Sequence, residues 1–331
     1  MHADVMALLL LIALVIDKRW GEPVVALHPV VWMGAYLTFF GLRITRLSSW
    51  LAFVFGALAW WLGAVVVGLL AWTTQTVWLS VIDRLYAGAL SGWAGWTGTV
   101  LGTLLVAWLV KCMLSWRMLH DEVGAVEAAL QQSLESGRER LSWLVSRDTT
   151  ALTASEVRES AIESLAENLN DSVVAPIFWF VLFGLPGAVV YRFANTADAM
   201  WGYRGLRHGV NWEWAGKWAA RADDVLSWIP ARLTALLLAL VVGGVNFKAL
   251  RREARKTASP NSGWPMAVMA LALNIRLGKP GLYTLNEGGE PPLAADASKA
   301  QKHASKVVYW QLSLALPALF FMAFIRWRMV R

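Results

Sequence analysis

The sequence is poor in the residues that build many familiar enzyme sites. A single cysteine, Cys112, stands among 331 residues, which excludes an internal disulfide and any metal cluster held by several thiolates. No HExxH, GxxxxGK[ST], strand-borne GxGxxG or GxSxG pattern occurs. A bound nucleotide would therefore be held by carboxylate-bound cations and arginines, without a Walker-type backbone cradle. Charge is scarce too: 16% of residues are charged, against about a quarter in a soluble domain. Repeats and low-complexity tracts are missing.

What the chain does have is apolar surface. It is 57% hydrophobic with 21 tryptophans, and its mean hydropathy is +0.47. That is the composition of a membrane protein. Tryptophan favours the headgroup level, where the ring is apolar and the N–H stays wet. Trp60, Trp61, Trp72, Trp78, Trp93, Trp96, Trp108 and Trp116 accordingly read as belts and packing around spanning helices. The net charge of +7 does not point to nucleic acid, because the basic residues fall in short loops beside apolar runs, as the positive-inside rule describes.

These runs predict an all-α, polytopic integral membrane protein that carries a cytoplasmic layer of helices and loops. The strongest spans cover 51–72 and 93–114, and further apolar segments cover about 3–16, 173–191, 229–247 and 307–325. The first is shorter than a full span and lacks the basic n-region and small-residue cleavage site of a signal peptide, so it reads as a short retained helix. Arg43 and Arg46 on one flank, and Lys111 and Arg117 on the other, place both outer ends of the strong spans in the cytoplasm. "GLPG" at 184–187 interrupts the 173–191 run and predicts a kinked span or a re-entrant pair of half-helices. The re-entrant form keeps Arg192, Arg204, Arg207, Lys217 and Arg221 on the cytoplasmic side. Polar segments cover about 117–171, 192–228 and 248–306, and "LNEGGEPPLAADASK" at 285–299 reads as a surface loop.

One polar segment is chemically unusual. "TASE" at 153–156 has the pattern of a capping box, so a helix starts there. On it Glu159, Glu163, Glu167 and Asp171 recur every four residues and share a face. Like charges at that spacing repel by a few tenths of a kcal/mol per pair, and no cation alternates with them, so positive charge must come from outside the helix. Carboxylate and amide oxygens suit Mg²⁺, which keeps several waters and bridges to phosphate. Further polar clusters surround this helix in the sequence: Asp17, Glu22 and His28 in "DKRWGEPVVALHP", Arg147 and Asp148 in "SRDTT", Asn195 and Asp198 in "NTADAMWGYR", Asp223 and Asp224 in "RADD", and Ser259 and Asn261 in "ASPNSGWP". Each has a structural reading as a cap, turn or anchor; together they read as one polar site on a membrane base.

"ESLAENLNDSVVAPIFW", "YRFANTADAMWGYR", "ARADDVLSWIPARLT" and "ASPNSGWPMAVMALAL", with "GEP", "HPVVWMG" and "SRDT", resemble the adenosylcobinamide-phosphate synthases of cobalamin biosynthesis, in order from about residue 17 to 290. The resemblance implies a multi-pass enzyme of the bacterial inner membrane with a cytoplasmic active site. It implies a ligase that joins a carboxyl of adenosylcobyric acid to the amine of aminopropanol phosphate, with ATP as co-substrate and Mg²⁺ as cofactor. The corrinoid is substrate, the lipid bilayer and other late corrin-pathway membrane enzymes are the expected partners, and nucleic acid is not. By that logic Glu163, Glu167, Asn168 and Asp171, with Asp223 and Asp224, hold Mg²⁺ and phosphate. Arg147 clamps phosphate, and Asp148 orients it. Asn195, Asp198, Ser259 and Asn261 shape the substrate pocket, while Asp17, Glu22 and His28 close it, His28 as base. The chain departs from the family pattern in "TLNEGGEPPLAADA" and in the tryptophans at 212–218, which leaves the amine open. A non-catalytic membrane sensor of the β-lactamase-induction branch is the alternative.

Overall fold

The computed structural model describes residues 2–90, 92–207 and 209–330, and its helices begin and end at the glycines, prolines and small polar residues of the chain. Helix α1 (Ala3–Trp20) stops at Gly21, whose φ of 67° suits glycine. A short 3-10 turn, Val25–Leu27, leads to α2 (Pro29–Ile44), with proline in its first turn. The long helices α3 (Ser49–Tyr86) and α4 (Trp93–Cys112) follow, then α5 (Trp116–Gln132), α6 (Leu134–Leu141) and α7 (Ala154–Leu169). A π-helical turn, Asn170–Val174, runs into α8 (Ala175–Phe183) and α9 (Leu185–Trp201). The two-residue strands β1 (Leu206–Arg207) and β2 (Val210–Asn211) precede α10 (Lys217–Leu226), α11 (Trp228–Val241), α12 (Phe247–Ala254) and α13 (Gly263–Leu273). A second hairpin, β3 (Leu277–Lys279) and β4 (Tyr283–Leu285), and α14 (Ala294–Val330) complete the chain.

Among the described residues, α3, α4 and the Ala294–Ile325 part of α14 are long and apolar enough to cross a membrane. Helix α3 outruns the expected 51–72 span: its 38 residues make about 57 Å of helix against a hydrocarbon core of about 30 Å. The polar stretch after residue 72 does not end it, because Thr73, Thr74 and Thr76 return their hydroxyls to carbonyls four residues back. The break at "GLPG" is real. Gly184 takes φ 71°, α9 starts directly behind it, and the two helices pack on each other so closely that a Cβ at Gly187 would sit 2.4 Å from the Trp179 carbonyl oxygen. The N–H of Leu185, left without a helical partner by the break, donates to Gln75 Oε1 of α3 at 2.8 Å.

The chain divides into two compact units. The first comprises the described residues of Met1–Ser115, Ala175–Leu226 and Leu314–Arg331. Its centre is α9, which packs against α2, α3, α8 and α10. Glycine lets α3 approach it: a Cβ at Gly63 would lie 2.3 Å from the Phe193 ring. The buried Trp201 indole donates to the Leu37 carbonyl at 3.1 Å, fixing the end of α9 to α2.

The second unit comprises Trp116–Val174 and Ser227–Ser313. Helix α7 runs through it, touching α5, α6, α13 and β3. The capping box forms as expected, with Thr153 Oγ1 accepting from the Glu156 N–H and Glu156 Oε2 accepting from the Thr153 N–H. Arg158 clamps Glu127 of α5 through two hydrogen bonds of 2.7 and 2.9 Å, a bidentate pair that fixes α7 in register. The β3–β4 hairpin pairs Gly278 with Thr284 and Lys279 with Tyr283 around a turn whose Gly281 has φ 74°.

Candidate functional site

The acidic face of α7 meets cations, and they come from elsewhere in the second unit. Glu159, buried to 4% exposure, receives Nη2 and Nε of Arg276 on Oε1 at 3.1 and 3.3 Å. One turn on, the buried Glu163 accepts Nη2 of Arg147 on Oε2 at 3.0 Å and the Tyr283 hydroxyl on Oε1. The same Arg147 nitrogen also donates to Ser160 Oγ at 2.7 Å. Burial, reinforced by the charges of Glu163 and Glu167, drives the Tyr283 phenol far above its ordinary pKa, so it stays protonated and donates. Burial likewise raises the Glu159 carboxyl, and Arg276 and Ser155 only partly oppose it.

A polar cavity of about 150 Å³ opens at this point, lined by Arg147, Glu163, Glu167, Asn168, Lys279 and Tyr283 among others. Two of its cations are under-used. The buried Nε and Nη1 of Arg147 have no hydrogen-bond partner among the described residues, and the Lys279 ammonium makes no hydrogen bond or ion pair to them. Buried donors without protein acceptors are rare in folded proteins and are met by water, an ion or a ligand. Arg276, Lys279 and Tyr283 are absent from the sequence-based assignment. Their signal was the "KPG" turn between Leu277 and Leu285, a hairpin pattern inside a segment that otherwise reads as loop.

Several expected roles shift. Asp148 does not touch Arg147; exposed, it accepts from the Thr150 N–H and hydroxyl at 2.9 and 2.7 Å, which lower its pKa, and so it caps its own turn. Ser160 and Glu163 hold Arg147 in its place. Asp171 falls in the π-helical turn, where the extra residue breaks the four-residue repeat; it accepts from Asn170 Nδ2 at 2.7 Å, while Asn170 Oδ1 accepts from Thr234. Ser259 Oγ accepts the N–H groups of Asn261 and Ser262, and buried Asn261 accepts from Arg232 at 2.6 Å, so both organise the turn before α13.

In the first unit, two further groups of expected residues assemble. Lys111, whose side chain is 1% exposed, places its ammonium 2.6 Å from Glu22 and 3.6 Å from Asp17. It is the hidden partner of the "DKRWGEP" acids, read in the sequence only as a flanking charge. Burial raises the Glu22 pKa, and hydrogen bonds from His28 and Lys111 more than reverse it, holding it below its ordinary 4.5. His28 Nδ1 accepts from the Val30 N–H at 3.2 Å while Nε2 lies 3.0 Å from Glu22. Its one lone pair is thus spent as a helix cap, and the ring positions Glu22 where a base was expected. On α9 and α10, Asn195 Nδ2 lies 3.4 Å from Asp223 Oδ1; burial raises the neighbouring Asp224, opposed by Arg204. Asp198 packs against Gly202, where any side chain would overlap its Oδ1.

Among the described residues no three His, Cys, Asp or Glu side chains are arranged to hold a metal, and both oxygens of Glu163 are engaged. The expected Mg²⁺ would accordingly have to take most of its ligands from water and phosphate, as that ion commonly does. Glu167 and Asn168 are the expected ligands that line it.

Comparison with known proteins places these residues in context. The family profile described as CobD/Cbib protein matches residues 10–310. A probable cobalamin biosynthesis protein CobD of Thermococcus kodakarensis is 41% identical over 94% of this chain and 92% of its own length. One from Pyrococcus furiosus is 39% identical, over 90% and 92%. The cobalamin biosynthesis protein CobD of Dehalococcoides mccartyi is 35% identical, over 86% and 88%. No solved structure matches.

Proposed function

The chain belongs to the CobD/Cbib protein family of cobalamin biosynthesis, and on that premise we propose that it is an adenosylcobinamide-phosphate synthase. The reaction joins a carboxyl of adenosylcobyric acid to the amine of aminopropanol phosphate as an amide, at the cost of ATP, on the cytoplasmic face of the inner membrane. The observation that carries this reading is the pair of under-used cations, Arg147 and Lys279, on one polar cavity beside two carboxylates. A carboxylate is inert to amines until its oxygen becomes a leaving group. Attack of the substrate carboxylate on the terminal phosphorus of ATP releases ADP and gives an acyl phosphate; the amine then attacks the carbonyl and expels phosphate.

The residues of the cavity suit the charge that this chemistry develops. Arg147 is pre-oriented by Glu163 and Ser160, so its remaining donors meet phosphoryl oxygens without reorganising. Tyr283, kept protonated, spares Glu163 from standing as a second uncompensated anion beside the phosphates. Glu167 and Asn168 would hold Mg²⁺, which when bound would neutralise phosphate charge.

Purified protein in detergent, supplied with ATP, Mg²⁺, adenosylcobyric acid and aminopropanol phosphate, is expected to release phosphate and yield the heavier corrinoid. Absence of product under conditions in which another family member turns over would sink the proposal. Arg147→Ala should lower kcat/KM by about 100-fold or more, the value of a charge-assisted contact strengthened in the transition state.

A further inference from the structure

A second polar cavity, of about 440 Å³, lies along the same β3–β4 hairpin and includes Glu156, Glu159, Arg276, Gly278, Lys279 and Glu287 in its lining. Two of its charged residues are already satisfied. Glu156 is taken up by Thr153 in the capping box, and Glu287 by Lys256 at 3.3 Å. Three groups remain open. Arg276 and Ser155 both bond Oε1 of Glu159, which leaves Oε2 of that buried carboxylate without a hydrogen bond to the described residues. Arg276 likewise keeps Nη1 unused, and Lys279 has no partner at all among them.

Resting on the function proposed above, we infer that this cavity is the subsite of a small zwitterion, an amine at one end and a phosphate at the other. Glu159 Oε2 receives the ammonium, and Lys279 with Arg276 receives the phosphate. A phosphate alone would sit among three carboxylates, and an amine alone would leave Lys279 unmet; only a molecule with both charges answers both open groups. Gly278 adds no side chain beside that oxygen; a Cβ there would stand in van der Waals contact with it, at 3.6 Å. Lys279 and Tyr283 line both cavities, so an amine seated here adjoins the space where the carboxyl is activated.

The test is calorimetry on the full-length protein in detergent with aminopropanol phosphate alone, without ATP or corrinoid. Saturable binding is expected for the wild type. Lys279→Ala should weaken it by about tenfold or more, as loss of a charge-assisted contact does, and Lys279→Arg should restore it to within a few-fold. Aminopropanol lacking the phosphate should bind wild type and Lys279→Ala equally weakly. Lys279 is half-exposed, so its replacement should leave the thermal midpoint unchanged; Glu159→Gln, at the other end, should also weaken binding. Undetectable binding by the wild type, or equal affinity of wild type and Lys279→Ala, overturns the inference. The two proposals fail separately: wild-type binding without ATP-dependent turnover would sink the synthase reading, whereas turnover with an unchanged KM for the amine in Lys279→Ala would sink the subsite.

Discussion

Replacing Lys111 by methionine isolates the buried charge cluster of the first unit. The methionine fills nearly the same volume, so packing is preserved and only the ammonium is lost. Its removal takes the ammonium away from Glu22, which accepted from it at 2.6 Å, and from Asp17 at 3.6 Å. Removing one partner of a buried ion pair costs about 3–5 kcal/mol, because the remaining charge is left desolvated. At the usual entropy of unfolding that is on the order of 10 °C in thermal midpoint. The wild-type Glu22 has a depressed pKa in the folded state, so its contribution is present above the unfolded value and fades as pH falls through the folded one. In the variant, burial acts with only His28 to oppose it, and the carboxyl protonates at higher pH. The deficit should therefore be largest near pH 7 and shrink on acidification. Thermal unfolding in detergent across that range, with the double variant Lys111→Met and Glu22→Gln as control, reads the effect. A single variant within about 1 kcal/mol of wild type at pH 7, or a deficit that grows as pH falls, would refute the reasoning.

Other perturbations have equally definite outcomes. Tyr283→Phe removes the phenolic donor from the buried Glu163 and should lower kcat by about tenfold or more without moving the KM for the corrinoid, measured by steady-state assay. Asp148→Asn should leave turnover within about twofold of wild type, since an exposed turn cap away from Arg147 contributes little; a large loss would restore the role the sequence suggested. Thr153→Ala, which deletes half of the capping box, should cost about 1 kcal/mol of stability, seen in the thermal midpoint. Glu167→Gln should abolish Mg²⁺-dependent turnover while leaving the midpoint unchanged, and full activity would remove Glu167 from any ligand role.

Much of the fold was legible because it is written locally. Hydropathy located α3 and α4, the Thr153–Glu156 pattern located the start of α7, and "GLPG" located the α8–α9 break. The need for outside cations on the Glu159–Glu163 face followed from spacing alone, and Arg276 and Arg147 supply them. Which residues would supply them was only half legible, since Arg276 lies 117 positions from Glu159 and no periodicity connects the two. Lys111 was hidden for a related reason. Counted as one more cytoplasmic charge, it is in fact fully buried, and only the spatial gathering of Asp17, Glu22 and His28 reveals why. Asp171 falls in a π-helical turn, which leaves no mark in a four-residue repeat.

The contact between Gln75 and the Leu185 N–H carries a lesson for anyone who would stabilise this protein. On a hydropathy plot Gln75 is one more polar residue in the Thr73–Thr76 stretch, and a library that rewards lipophilicity would exchange it for leucine. That exchange would silence the acceptor on which the broken α8–α9 segment relies, leaving the Leu185 amide, which has no helical partner, without its bond. Here the substitution that most improves a score is the one that undoes the turn.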